Sequence, residues 1–547
     1  MGTSNSRQPI TDTKTSHPTP AVQKAVNSAA NGCVALGNGG SNELLERFER
    51  LKERVLVKRP ILREILRKRG GETLMQYANE YVDVNLNPPI LKRQSELLST
   101  IREATEERFG AETAEKVVAQ LEKAYFVSTA DHVGPVVHPF FVNSNLLTAL
   151  AIHTHTDPML QYVIVLACAN VSVDNSSFPR GLFFHSGMGD KLQSHRVAFL
   201  SSNERPPSIY TMRPYTKADL TKAQHSLDVK LEKQEMTVYQ HERIRGLLEN
   251  IYGVPDILAC ASYREQVSKT NFQLWQQFFP TEKSLPKLVY LEVEDIVVRL
   301  LTKYHLTQDT VINHILFDPE YEPFIRDYFD GIFGSFSEKD SEGTYLFWAL
   351  PKGSRYNLQL WRKGNFLVSK DESYKVELNP EAIRQAMLSR ELIPSLLLNF
   401  MTISFYYGLK CLGGFNQVNY LTLMKNAYIK MNVDLGNYRS IEVCARAQTK
   451  EICDGLTLAF LGYNKGRVAL ASGLDLILYG TDDTWGRLVT LSKTMTIEEA
   501  LNPLMPEIYR ISYDEKEWEK DLLAVTEQNI NQLTGLDRKV KPCVEIA

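Results

Sequence analysis

Residues 124–169 read AYFVSTADHVGPVVHPFFVNSNLLTALAIHTHTDPMLQYVIVLACA, and this stretch decides the fold. Tyr162 to Ala169 is an uninterrupted apolar run of strand length, the pattern of a parallel strand buried on both faces. Ala124 to Ser128 reads as an earlier strand that opens into the loop Thr129–Pro135, and a helix from about Pro139 through Leu150 returns the chain. Strand, loop, helix, strand is one βαβ unit, so the expected class is α/β with a Rossmann-like parallel sheet at its core.

Around that unit the chain divides by composition. Residues 1–41 are rich in Ser, Thr, Asn, Pro and Gly and cannot bury enough surface to offset ordering entropy, so they read as a disordered tail. Met1-Gly2-Thr3-Ser4-Asn5-Ser6 formally fits an N-myristoylation pattern, against the plainer reading of a polar tail. Residues 42–122 carry apolar positions at helical spacing, with Ser41 as the expected cap of the first helix. Residues 123–215 hold the first part of the core and the expected active site, and 216–285 read as a helical arm. In that arm Lys217 to about Leu248 reads as one long polar helix. Residues 286–547 hold the rest of the core and an α+β region, in which Tyr345–Leu350, Asn357–Trp361 and Asn365–Val368 look like strands. The apolar stretch Ile393–Leu412 reads as a buried helix that Gly413-Gly414 breaks.

Size and charge bound the function. A chain of 547 residues implies two to four domains at roughly 100–200 residues each. A net charge of −3 argues against a broad nucleic-acid footprint but leaves room for a local anion pocket. No apolar run approaches the ~18–20 residues that cross a bilayer, and no secretory signal is read at the N-terminus. Seven scattered cysteines without CxxC spacing suit a reducing compartment, so a cytoplasmic location and a small-molecule substrate are expected, with a homodimer as the oligomer to test.

The chemistry concentrates in one place. Six of the eleven histidines (His132, His138, His153, His155, His185 and His195) fall in a single segment, interleaved with Asp131, Asp157, Asp174 and Asp190. Imidazole both donates and accepts protons near neutral pH. Asp131, His132 and His138 would sit at the carboxyl end of the first strand, where open α/β sheets bind ligands. With His185 they are the candidate catalytic residues, against the alternative that they bond backbone in a tight loop. Asn175, Ser176 and Arg180 follow the second strand and could grip a substrate, with Lys191 neutralising an anion and Asn416 contributing from the late turn. In an extended loop His153, His155 and Asp157 could ligate a metal; on a helix they would not share a face. No P-loop, no GxGxxG and no GxSxG is present in these segments. A nucleotide or a divalent metal ion is the cofactor to look for.

Two stretches resemble a known family. Thr129-Ala130-Asp131-His132-Val133-Gly134-Pro135 with His138-Pro139-Phe140-Phe141, and Leu392 through Gly413-Gly414-Phe415-Asn416-Gln417-Val418-Asn419-Tyr420, are similar in order and character to segments of the cysteine-adding enzymes of bacillithiol synthesis. His132 stands where that family commonly has Gln, and Asn416 or Gln417 stands near its Glu. The resemblance implies a Rossmann-like core related to nucleotidyltransferases, a helical arm, and a biosynthetic condensation involving an amino acid. The reading is thus an enzyme that joins or transfers a small anionic, amino-acid-derived group, a ligase or transferase. A metal-dependent hydrolase built on His153, His155, Asp157 and His185, and a non-catalytic scaffold using the long helix, stand as alternatives.

Overall fold

The computed structural model describes residues 38–84, 86, 88–155, 157–188, 191–204, 207–354, 356–464 and 466–546. The tail up to residue 37, including the Gly2 motif, and Asp190 lie outside the described residues. Residues 38–41, counted above with the tail, already belong to the helix Asn38–Lys58, so Ser41 lies inside the helix and does not start it.

The centre is a five-stranded, fully parallel sheet. Strand β1 (Phe126–Ser128) pairs with β2 (Tyr162–Ala167), which pairs with Lys287–Glu292; on its other side β1 pairs with Lys410–Gly414, and Ile452–Asp454 forms the far edge. Register is set by Ser128 opposite Val165 and Leu412, and by Tyr162–Ala167 against Lys287–Glu292. Alternate side chains of β2 enter two separate cores: Val163, Val165 and Ala167 face one, and Tyr162, Ile164 and Leu166 face the other. That division explains the unbroken apolar run, because neither face of the strand meets water. Helix Pro139–Thr154 fills the first core, while Pro88–Phe109, Ala111–Lys123 and Val293–Leu300 pack into the second. The architecture is a three-layer α/β fold.

Lys410–Gly414 corrects the expected helix. Ser395 caps a short helix, Leu396–Phe400, which continues as a wider turn, Met401–Tyr406. At Gly408 the chain takes a φ of +73°, and a Cβ there would lie 2.8 Å from Ile90 and 2.9 Å from Val443. A helix cannot pass that point, and the chain re-enters the sheet beside β1. Gly413-Gly414 is therefore the carboxyl end of a strand, not a helix break.

Two accessory elements flank the site. Strands β3 (Gly181–Met188) and β4 (Lys191–Ala198) form a long hairpin. The expected single helix Lys217–Leu248 is two, Lys217–Glu232 and Val238–Leu247, because Gln234 adopts φ +56° and Thr237 caps the second. Leu220, Ala223, Leu227, Ile244 and Leu247 sink into the first core, so this segment is not a free arm. The three strands expected in 345–368 lie in a separate antiparallel sheet, as Phe347–Ala349, Leu358–Lys363 and Phe366–Ser369. Helices from Gly473 to Lys539 wrap the N-terminal helices and the first core. Among the described residues no helix is long and apolar enough to cross a membrane, and six cysteines are free thiols.

Candidate active site at the carboxyl rim of the sheet

Because all five strands are parallel, their carboxyl ends share one rim. There the chain leaving β1 and the chain leaving β2 are stitched together. Cys168 N–H donates to Asp131 O at 2.8 Å, and Val133 N–H donates to Cys168 O at 2.9 Å. Farther out, the Asp131–Pro135 turn meets the Asn175–Gly181 turn so closely that a Cβ on Gly134 would stand 2.7 Å from Pro179 Cα. Helix Tyr263–Trp275 fixes both partners. Asn271 receives Val136 N–H and donates to Gly134 O, each at 2.9 Å, and Tyr263 donates to Pro179 O at 2.6 Å.

This juxtaposition sets the state of His132. Asn175 Oδ1 accepts Ser177 N–H at 3.0 Å, and since a backbone N–H only donates, the atom is an oxygen. It also accepts the Ser177 hydroxyl at 2.8 Å. His132 Nδ1 lies 3.3 Å from the same oxygen and 3.5 Å from Ser177 Oγ; with the Ser177 proton given to Asn175, both neighbours accept, so the arrangement favours Nδ1–H and a lone pair on Nε2 of the neutral ring. His138 is set the opposite way. It caps helix Pro139–Thr154, and its Nδ1 accepts Phe140 N–H at 3.4 Å, which leaves Nε2–H as a donor. Burial, then the charge of Arg196, then His132, push its pKa down to about 3, so the ring is neutral at pH 7. Both rings touch Phe141, with centroids 5.5 and 5.4 Å away.

On one side of this pair the rim is acidic. Asp131 is buried, bonded by Ser144 at 3.1 Å and Asn145 at 2.8 Å, and burial raises its pKa to about 7, with Asp454 adding to the rise. Asp454 ends the edge strand; burial raises it to about 7 too, and Glu507 adds to that. Its Oδ2 would lie 2.9 Å from a Cβ on Gly414, so the glycine admits the carboxyl to the rim. Burial also lifts Glu507 to about 6 and Glu527 to about 7. Asn416 stands here, its Oδ1 gripped by Arg59 at 2.8 and 2.6 Å, and Gln417 donates to Thr129 at 2.6 Å.

On the other side the rim is cationic. Arg180 and Arg196 lie 4.9 and 5.4 Å from the ring of Phe178, which itself adopts φ +53°. Arg180 donates to Leu200 O at 3.2 Å and sits 3.6 Å from Asp174. Arg196 is exposed and has no ion-pair partner among the described residues. Crowding of the guanidinium ends by neighbouring protein lowers the pKa of both, even though Arg196 is exposed as a residue; Arg180 lowers that of Arg196 further, and Asp174 opposes both shifts. Two guanidiniums near one ring favour an anion between them.

The remaining candidates are dispersed. Ser176 is exposed in the Asn175 turn. Lys191 is exposed at the hairpin tip opposite Met188, whereas Arg180 precedes the hairpin base; seven residues of strand separate them, roughly 24 Å, so they cannot hold one anion. His153, His155 and Asp157 lie at the far end of helix Pro139–Thr154, about 24 Å from His138 along a helix of this length. His153 bonds Ser284 at 3.3 Å, His155 bonds Asn79 O at 3.3 Å, and Asp157 caps Met159 N–H at 2.9 Å. They neither converge with one another nor meet His185. Among the described residues no group of three or more His, Cys, Asp or Glu is placed to hold a metal ion. His185 is buried beside β4, its Nδ1 2.6 Å from Asp475 Oδ2. His195 is structural. Ser186 gives its hydroxyl proton to Glu235 O at 2.8 Å, so it can only accept from His195 Nε2 at 2.7 Å.

No protein-family model matches the chain, and no curated protein matches it.

The residues that sequence reasoning missed have specific reasons. Arg196 alternates along a hairpin strand with no motif around it. Asp454, Glu507, Glu527 and Asp475 come from the last hundred residues, where nothing marks them as partners of residue 131 or 185. Glu294 was also silent: its buried carboxylate accepts Ala169 N–H at 2.8 Å and Asn170 N–H at 3.0 Å and fixes the loop after β2. A buried acid right after a strand was the available signal.

Proposed function

We propose that this chain is an enzyme of small-molecule biosynthesis, on a Rossmann-like core, that joins or transfers a small anionic group in the cytoplasm. The observation that carries the reading is the complementary pair of imidazoles: His132 has its Nδ1 on Asn175, which assigns its basic nitrogen to Nε2, while neutral His138 accepts on Nδ1, which assigns its proton to Nε2. A nucleophile can give its proton to His132 as it attacks, and the charge that develops on the attacked oxygen can be met by His138 Nε2–H. Arg180 and Arg196 hold the anionic group, and Asn175 acts on the substrate through His132, which it orients. The acidic side, with Asp131 and Asp454, suits the positive end of an amino-acid-derived partner, in keeping with the condensation that the family resemblance implies.

The test is metabolite profiling of cells that express the wild-type chain or His132→Ala. A mass feature that depends on the wild-type chain and disappears with His132→Ala is expected, with the thermal midpoint of the variant within a few degrees. Identical profiles from two folded proteins refute the assignment.

A further inference from the structure

Beyond His132 and His138, a third imidazole is held by a carboxylate in a manner that packing alone does not require. His185 is 94 % buried, since its relative exposure is 6 %, and Asp475 is fully buried. The carboxylate reaches the histidine twice: Oδ1 accepts His185 N–H at 2.8 Å, and Oδ2 stands 2.6 Å from Nδ1. Asp475 Oδ2 also accepts Ser472 N–H at 2.8 Å, and Asp475 N–H donates to Ser472 Oγ at 3.1 Å. Asp475 is therefore locked at the start of helix Gly473–Tyr479 and cannot turn away. Tyr479, from the same helix, donates to His185 O at 2.6 Å and receives Gln240 at 2.6 Å, so the backbone of the histidine is clamped as well.

With Nδ1–H directed at a carboxylate, the lone pair of the neutral ring lies on Nε2. That atom makes no hydrogen bond among the described residues, and the side chain keeps 8 % of its surface exposed. Two titratable groups act on the ring from neighbouring elements, Asp475 from its helix and Glu527 from helix Glu527–Thr534; His195, paired with and stacked on Phe184, lies on the opposite face of the hairpin. Glu527 makes no hydrogen bond or ion pair among the described residues, although it is densely surrounded. The ring of His185 meets Phe183 edge-on at 4.9 Å; Phe183 lies 6.5 Å from His138, which shares Phe141 with His132. The three imidazoles thus line one continuous aromatic wall.

We infer that Asp475 is a positioning residue that makes His185 the second proton carrier of this site, with Glu527 beside it. This rests on the group-transfer reading above. In that reaction the nucleophile X–H gives its proton to His132 Nε2 and forms its bond to the transferred group. The bond from that group to its leaving group breaks with the electron pair, and His185, protonated on Nε2, hands its proton to the leaving group. Asp475 holds the imidazolium in place, as a buried carboxylate does for a catalytic histidine elsewhere. The cycle closes when His132 releases its proton to solvent and His185 regains one from solvent by way of Glu527.

The experiment is histidine carbethoxylation with diethyl pyrocarbonate on the folded full chain, mapped by peptide mass spectrometry, in the wild type and in Asp475→Asn, Glu527→Gln and His132→Ala. The expected result is modification of His185 in the native wild type, slowed at least tenfold in Asp475→Asn and two- to threefold in Glu527→Gln. Unfolding of Asp475→Asn would expose the ring and speed the reaction, so the direction separates misfolding from lost activation; Glu527→Gln, which removes no hydrogen bond, supplies the independent reading. His185 inert in the native state, or modified at the wild-type rate in both variants, overturns the inference. His132→Ala should leave the His185 rate unchanged, so a failed metabolite test and a failed His185 test are distinct outcomes.

Discussion

Gly134→Ala strikes the tightest packing contact between the Asp131–Pro135 and Asn175–Gly181 turns. The new Cβ would stand 2.7 Å from Pro179 Cα, 3.1 Å from its Cβ and 3.2 Å from its carbonyl oxygen. Carbon atoms rest at about 3.5–4.0 Å, so the turns must part by roughly 1 Å. Neither yields readily, because Asn271 holds Gly134 and Tyr263 holds Pro179 through buried hydrogen bonds. Gly134 does not have a positive φ, so alanine is tolerated by the backbone and the penalty is the contact alone. Overpacking of this kind costs about 1–3 kcal/mol. The same displacement would carry His132 Nδ1, now 3.3 Å from Asn175 Oδ1, out of hydrogen-bonding range. Urea unfolding reads the first effect, and nitrogen-15 NMR of the histidine tautomer reads the second. Gly71→Ala is the control, since a Cβ there meets nothing within 4 Å. If Gly134→Ala matches the control in stability and His132 keeps its Nδ1–H tautomer, the turns are not coupled and the site as described fails.

Other expectations concern the groups around this contact. Asp131 has a folded pKa of about 7, above its ordinary value, so the folded chain holds a proton that the unfolded chain loses near pH 4; that stability is present at low pH and is lost as pH rises toward and through 7. Asp131→Asn removes this dependence, and relative to wild type it should gain at least about 1 kcal/mol between pH 5 and pH 8 in urea unfolding, at up to about 1.4 kcal/mol per pH unit; a constant difference would refute the raised value. Glu294→Ala strands Ala169 and Asn170 N–H in a buried loop and should cost about 2–4 kcal/mol, seen as a lower denaturant midpoint. Lys191→Ala should change neither stability by more than about 0.5 kcal/mol nor the His132-dependent metabolite, because the residue sits at the exposed hairpin tip.

What could be read in advance follows from which residues announce their surroundings. Tyr162–Ala167 was legible because a strand facing two cores must be apolar throughout, and the loop after β1 was legible because Gly134-Pro135 punctuates the chain between strand and helix. The neighbouring strand was not. Lys410 opens it, and a lysine there speaks against burial until its ammonium is seen donating to Glu80 O and Asp83 O at 2.8 and 2.9 Å. The HxHxD spacing suggested metal ligands only for an extended chain. Helical backbone through Thr154 sends His153 toward Trp485 and Ser284 and leaves His155 to Asn79. Arg196, Asp454 and Asp475 owe their places to pairings far apart in the chain, which carry no local signature.

The central strand has a sequel for how the molecule is made. β1 is flanked on one side by a segment that arrives almost three hundred residues later, as the contact of Thr129 with Leu412 across 283 positions records. Until the ribosome has delivered that segment, the middle of the sheet has a bare edge with unsatisfied amides, the kind of surface on which nascent chains aggregate. Closure over so long a loop is slow. Expression at low temperature, or with chaperones that shield strand edges, should therefore raise the yield of native protein, and fragments that stop short of Lys410 should be recovered as aggregates.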